Sequence, residues 1–301
     1  MVVPKYDIDI KESKLRRTGR LLDILLVDRT TEKNIIWATD SYEKHGKKFA
    51  PEKLITPSLV TGKYGTLIQP RAVKSLDEQR RRTKDKAEVF TPLKIVDQMN
   101  RAIEKLTINK NNWQEYIREL KLEITCGEAP FIVSRYNPTA HTGKLIKLNN
   151  RVGFLDKKLK VVSRYCDKKK EWLFWAKEAF KASYGYEWQG DNLLIARENL
   201  LYTFIDYYED KFKRKPTLRM KEEIAEIISW NIFQMDGLKC VVPMSCKIER
   251  KNSNDLFGHI TEIEYQCEGC KYKQSDKHNG TYVEIMDWSE NKVVRFAELA
   301  N

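Results

Sequence analysis

The sequence predicts an α/β fold. Three segments carry that expectation, each a short apolar run ending in an acidic residue: LEITCGEAPFIVSRY (122–136), YGYEWQGDN around Glu187, and NIFQMDGL with Asp236. In the first, a strand-like KLEIT leads into a tight turn at Gly127 and then a helix from Pro130. A glycine turn lets a ligand approach the main chain, and the unpaired N–H groups of a helix start face it. In the second, the strand ends at Glu187, Gly190 makes the turn, and Asp191 or Asn192 caps the next helix. A carboxylate placed there accepts hydrogen bonds from both vicinal hydroxyls of a ribose, as in doubly wound sheets.

Charge points to a partner class. With 55 Lys+Arg against 43 Asp+Glu the net charge is +12, which suits nucleic acid or another polyanion. No apolar run is long enough to span a membrane, and MVVPKYDIDIKESK lacks the apolar core of a signal peptide, so a cytoplasmic protein is expected. Six cysteines in 301 residues do not suggest a disulfide scaffold. Internal repeats and low-complexity segments are not seen.

The first third (1–79) reads as a small α+β appendage. Residues 11–27 look helical, with Leu21, Leu22, Ile24, Leu25 and Leu26 on one face. NIIWATD (34–40) reads as a strand, and LITPSLV and GTLIQP read as extended pieces. The run KSLDEQRRRTKDKAEVF follows. Its Arg80, Arg81, Arg82, Lys84 and Lys86 form a basic patch suited to DNA phosphates, or else a solvated helix face. Thr91 and Pro92 then form a helix start, and Ile95, Met99, Ile103 and Leu106 mark that helix's buried face.

The middle region (80–245) carries the strand-and-acid units. Between the first two lie an ambiguous amphipathic stretch, 151–166, and a helix, 169–180, whose Trp172, Trp175, Ala176 and Ala179 pack in a core. Leu194, Leu201, Ile205 and Tyr208 line the helix after Glu187. Another helix, 217–230, follows the break at Pro216 and leads to Asp236.

With these pieces in order, the chain resembles the adenine-N6 DNA methyltransferases of restriction–modification systems over roughly residues 15–245. It looks closest to the short proteins called restriction endonuclease subunit M. The resemblance implies a Rossmann-like methyltransferase sheet that binds S-adenosylmethionine. AEVFTP (87–92) stands where that family closes over the cofactor, which gives Phe90, Thr91 and Pro92 that role. LEITCGEAPF (122–131) stands where the family has Leu-Glu-Pro-x-x-Gly-x-Gly-x-Phe, so Glu123, Thr125, Gly127 and Glu128 line the methionine loop. Glu187, beside Trp188, matches the ribose acid, and Asp236 the acid at the adenine end.

The chain departs from this pattern in three ways. Ala129, followed by Pro130, replaces the second loop glycine, and the long gap from Glu123 to Glu187 implies an insertion. The family's Asp/Asn-Pro-Pro-aromatic tetrapeptide is absent; NPTA (137–140) and VVPMSC (241–246) each match only a fragment. That tetrapeptide accepts the hydrogens of the adenine amine and stacks on the flipped base. The catalytic residue is therefore unknown. Either a restriction, specificity or catalytic partner subunit supplies it, or unfamiliar residues of this chain do the work, or the chain is an inactive DNA- or partner-binding subunit on a degenerate methyltransferase fold. Methylation of RNA or protein is a third, weaker reading.

The tail (246–301) reads as a Cys-containing β lobe. Cys267-Glu-Gly-Cys270 can present two thiolates to one metal, and Cys240 and Cys246 would complete a zinc site, with His259 or His278 able to replace either; the alternatives are four reduced thiols or a redox pair. TYVEIMDW and KVVRFAEL read as two further strands.

Overall fold

A computed structural model of the chain describes residue 8 and residues 12–86, 88–107, 112–140, 143–254 and 260–299. It is a mixed helix-and-sheet molecule built around a small parallel sheet of three strands, β1 (Lys121–Glu123), β2 (Ser183–Glu187) and β3 (Ile232–Gln234), in the order β1-β2-β3. Leu122 stands opposite Tyr184, and Tyr186 opposite Phe233. No helix among the described residues is long and apolar enough to cross a membrane.

The N-terminal part is helical, with short helices where extended chain is expected. α1 (Glu12–Arg16) and α2 (Leu21–Leu26) replace the single helix predicted over 11–27. Gly19 separates them in the left-handed region (φ +64°), where an added Cβ would lie 2.9 Å from Leu218. The predicted strand at 34–40 makes only isolated bridges, Val27 with Asn34 and Ile36 with Leu54. Within LITPSLV, Pro57 starts a one-turn helix, α3 (Pro57–Val60), as suits a proline at a first helical position. α4 (Leu76–Lys86) and α5 (Leu93–Thr107) follow, then α6 (Trp113–Arg118), capped by the Asn112 side chain on the Gln114 and Glu115 N–H groups.

The gap between β1 and β2 holds two helices, α7 (Phe154–Tyr165) and α8 (Lys169–Lys181). The long α9 (Gly190–Phe212) leaves β2 and ends at Lys213 in the left-handed region. Thr217 then caps α10 (Leu218–Asn231), which runs straight into β3. Asn231 locks this junction, its amide donating to the carbonyls of Phe180, Lys181 and Ser183.

One apolar cluster runs through α1, α2, α7, α8, α9, α10 and β3 and includes Trp37, Phe49 and Trp172. Arg197 sits fully buried inside it, donating to the carbonyls of Ile232, Leu25, Val27 and Ser229 and so tying α9 to β3 and α2. A second cluster, with Tyr186, Phe233, Met235, Val283 and Ile285, joins the sheet to the tail. The tail contains the hairpin β4 (Glu249–Asn254) with β5 (Ile260–Tyr265), α11 (Glu268–Tyr272), and the hairpin β6 (Glu284–Asp287) with β7 (Lys292–Arg295), closed by α12 (Phe296–Leu299). Bridges from Val241 to Asp236 and to Tyr282 attach it beyond β3.

Two sequence expectations fail around β1. The helix predicted from Pro130 is a series of turns. The Glu123 carboxylate takes the N–H groups of Phe131 and Ile132, while their carbonyls accept from Phe154 and Leu155 at the start of α7. With both sets of main-chain groups spent elsewhere, a helix cannot propagate. In α5, Val96 and Asn100 are buried, whereas Ile95, Met99 and Ile103 are about half exposed.

Candidate functional site

A cavity of about 750 Å³ opens at the carboxyl ends of β1 and β2. Its walls come from three places. Phe90 and Thr91 lie on the segment before α5, Glu123, Thr125 and Gly127 on the β1 loop, and Glu187, Trp188, Gln189 and Asn192 at the end of β2 and the start of α9. Seven predicted cofactor residues therefore meet in one place: Phe90, Thr91, Glu123, Thr125, Gly127, Glu187 and Trp188.

The β1 loop has unusual main-chain geometry. Thr125, Gly127 and Ala129 all have positive φ, at 45°, 55° and 62°. For a β-branched residue such as Thr125 that region is a true outlier, and strain of this kind collects at binding sites. Gly127 is required for a second reason. A Cβ there would come within 3.1 Å of the Phe90 ring, so the two walls touch only because the side chain is absent.

Glu187 holds this loop. One carboxylate oxygen accepts the Gly127 N–H at 2.8 Å and the other accepts the Gln189 N–H at 3.0 Å. A carboxylate offers about four acceptor positions, so one lone pair on each oxygen remains for a ligand. Burial pushes the group up to about 7, against the two N–H donors that pull it down, with Asp191 and Glu88 adding to the rise. Burial likewise raises Glu123, opposed by its two N–H partners and aided by Glu187.

Three other predicted cofactor residues lie outside the cavity lining. The Glu128 carboxylate is buried between the Arg71 N–H and the Tyr136 hydroxyl. The Asp236 carboxylate is used in its own turn, on the Leu238 N–H and Lys239. Pro92 is exposed and supplies its carbonyl to the first turn of α5. The catalytic-motif fragments are also remote from the lining. Asn137 makes a local turn with Thr139, and Val242 packs in the second apolar cluster.

The basic patch divides. Arg80, Arg81 and Lys84 are exposed on α4, and Lys86 pairs with Asp40 at 2.6 Å. Arg82, in contrast, is 1% exposed and cannot meet DNA. It donates to Glu88 at 2.6 Å and to Asp191 at 2.8 Å, and Tyr42 donates to the same Asp191 oxygen at 2.7 Å. Burial alone would raise Asp191, but Arg82 and Lys74 outweigh it and hold the acid below its usual range. Asp191 therefore anchors α4 to α9 rather than capping α9. This network fixes the chain just before Phe90.

A separate cluster lies in the tail. Cys246, Cys267, Cys270 and His278 place their donor atoms within 4.8 Å of one another and can hold a metal ion. His278 Nδ1 lies 3.5 Å from the Cys246 sulfur and 3.6 Å from each of the Cys267 and Cys270 sulfurs. A tetrahedral ion with metal–sulfur bonds of about 2.3 Å and a metal–nitrogen bond of about 2.0 Å gives N···S edges of about 3.5 Å. The Asn279 N–H donates to Cys267 at 3.2 Å, the outer contact that orients a thiolate ligand. Cys240, a predicted ligand, is not in this cluster; it is buried with Tyr186 and Phe233. His278 takes its place, and His259 lies outside the described residues.

Sequence reasoning missed Gln189, Asn192, Met99 and Ile103 in the cavity wall. The last two were visible as an apolar stripe but carried no sign of which way it faced.

The Arg82 network yields a stability test. Arg82→Met leaves Asp191 buried without its paired guanidinium and Glu88 with Arg71 alone, and urea unfolding should show a loss of about 3–5 kcal/mol. Arg80→Ala and Arg81→Ala, on the exposed face, should stay within about 0.5 kcal/mol of the parent.

Geometry alone carries the functional reading, because no family model matches the chain and no curated protein or solved structure does so either.

Proposed function

We propose that the chain is the S-adenosylmethionine-binding part of an adenine-N6 DNA methyltransferase-like modification protein, with a Rossmann-like arrangement of β1, β2 and β3. One observation carries this reading. The strand-end carboxylate Glu187, bonded to the strained Gly127 loop, lines a single cavity with Phe90 and Thr91.

The residues present suit the cofactor. The volume is in the range of small-molecule sites. Glu187 keeps one acceptor position on each oxygen for the two ribose hydroxyls, and Trp188 lies beside it in the cavity wall. Ala129 keeps the left-handed conformation that the family's second loop glycine would supply. When bound, the cofactor would bring the methyl group; this chain's residues would bind and orient it. The exposed Arg80, Arg81 and Lys84 supply cations for DNA phosphates.

A second reading, an inactive DNA- or partner-binding subunit, is favoured by one observation: Asn137 and Pro243, in the motif fragments, do not line the cavity. For the tail we infer a structural zinc held by Cys246, Cys267, Cys270 and His278. The match of the N···S distances to a tetrahedral zinc site supports it.

Calorimetric titration with S-adenosylmethionine tests the main reading. Binding should occur and should be lost in Glu187→Ala; a folded parent chain that does not bind refutes the proposal. With the Glu187 carboxyl pushed up to about 7, the ionised acceptor is depleted below that pH. Affinity should fall about tenfold per unit as pH drops below 7 and level off above it, and Glu187→Gln should flatten the profile. The contribution of Glu187 to folding has the opposite sign. It is fully present below the ordinary carboxyl value and is lost as pH rises through 7.

Elemental analysis tests the tail. The purified chain should carry one zinc, Cys270→Ser should lose it, and Cys240→Ser should keep it. A chelator should lower the melting temperature of the parent.

A further inference from the structure

The adenine end of the cofactor has lost its expected partner. The acid matched to that end, Asp236, spends its carboxylate on the Leu238 N–H and Lys239, away from the cavity lining. A base taken out of water still needs partners for its ring nitrogens. Most polar groups in the wall near Glu187 are already engaged. Lys86 is paired with Asp40, and Lys121 with Glu119. The Glu88 carboxylate accepts from Arg71 and Arg82, and the Asn192 amide donates to it at 3.4 Å.

Gln189 differs from these. It is buried in the cavity wall and stands at the N-cap of α9, yet its side chain caps nothing. Its Oε1 accepts instead from Arg82 at 3.3 Å. A guanidinium can only donate, so it fixes which end of the amide is the oxygen. Arg82 is itself locked by Glu88 and Asp191, so the amide is held from behind. The Nε2 end carries two N–H groups and has no partner among the described residues.

We propose that Gln189 reads the base of the cofactor: its Nε2 donates to a ring nitrogen of adenine, in the place that the resemblance gives to Asp236. The assignment rests on the cofactor reading and on the stereochemistry of ribose. The two Glu187 oxygens serve different segments, one the Gly127 N–H and the other the Gln189 N–H. Of the two ribose hydroxyls, one adjoins the carbon that leads to the methionine and the other adjoins the carbon that carries the base. With the methionine on the Gly127 loop, a carboxylate that accepts both hydroxyls leaves the base on the Gln189 side. An amide donor is the right chemistry there, since a ring nitrogen of adenine accepts a hydrogen bond where an acid such as Asp236 could only meet the exocyclic amine.

The test is calorimetric titration with S-adenosylhomocysteine, which carries the same base and ribose, and with its 1-deaza, 3-deaza and 7-deaza analogues. Each analogue replaces one ring nitrogen by C–H. One of the three should bind the parent chain about tenfold more weakly. Gln189→Met, which keeps the length of the side chain and removes the donor, should bind S-adenosylhomocysteine about tenfold more weakly and no longer distinguish it from that analogue. Equal binding of all three analogues to the parent chain overturns the assignment, and this arm needs no variant to fold. Parent-like affinity in Gln189→Met overturns it too, as does a variant that loses affinity but still discriminates against the analogue. A parent chain that binds no S-adenosylhomocysteine overturns the cofactor reading along with it. Binding that is lost in Glu187→Ala but kept in Gln189→Met overturns the Gln189 assignment alone.

Discussion

The buried Arg82 guanidinium is the constraint on which the cavity depends. It joins Glu88, just before the Phe90 wall, to Asp191, in the first turn of α9, and through Asp191 to Tyr42. These residues come from three distant parts of the chain, and no apolar contact could set their spacing as tightly as three short charge-assisted bonds. Burying an ion pair is itself costly, so its value is in specifying one arrangement more than in raw stability. That arrangement brings Phe90 against Gly127, and Glu187 then holds the Gly127 N–H from the other side.

Much of this was legible in the sequence, for physical reasons. β2 and α9 are marked by an apolar run, an acid, a glycine and a long buried face, and each signal is local. The strand-end placement of Glu187 follows from the same signals. What could not be read depends on contacts between distant segments. Arg82 sits in a run of cations and looks like its exposed neighbours; only Glu88 and Asp191 set it apart. The turns after Gly127 replace a helix because α7, more than twenty residues later, claims their carbonyls. His278 replaces Cys240 as the fourth side chain of the cluster that could hold a metal ion, since Cys240 is drawn into the apolar contact between sheet and tail.

The stripe on α5 shows the limit of periodicity. Ile95, Met99 and Ile103 recur at helical spacing, which usually marks a face against the core. Here Val96 and Asn100 face inward, and the Asn100 amide donates to the Phe131 and Val152 carbonyls. A polar residue with two buried partners has set the rotation of the helix, and Met99 and Ile103 of the apolar stripe are left lining a hollow. Periodicity gives the helix and its amphipathic faces; what each face meets is decided elsewhere.

The hairpin β4–β5 lies in the chain between Cys246 and Cys267. A metal ion bound there would close the loop at its base, and the entropy of closing a loop grows only slowly with its length. Residues could then be added or removed at the tip with little effect on the base, which makes the hairpin a cassette open to variation in length. The part of the tail freest to change would be the part fastened most firmly at its root.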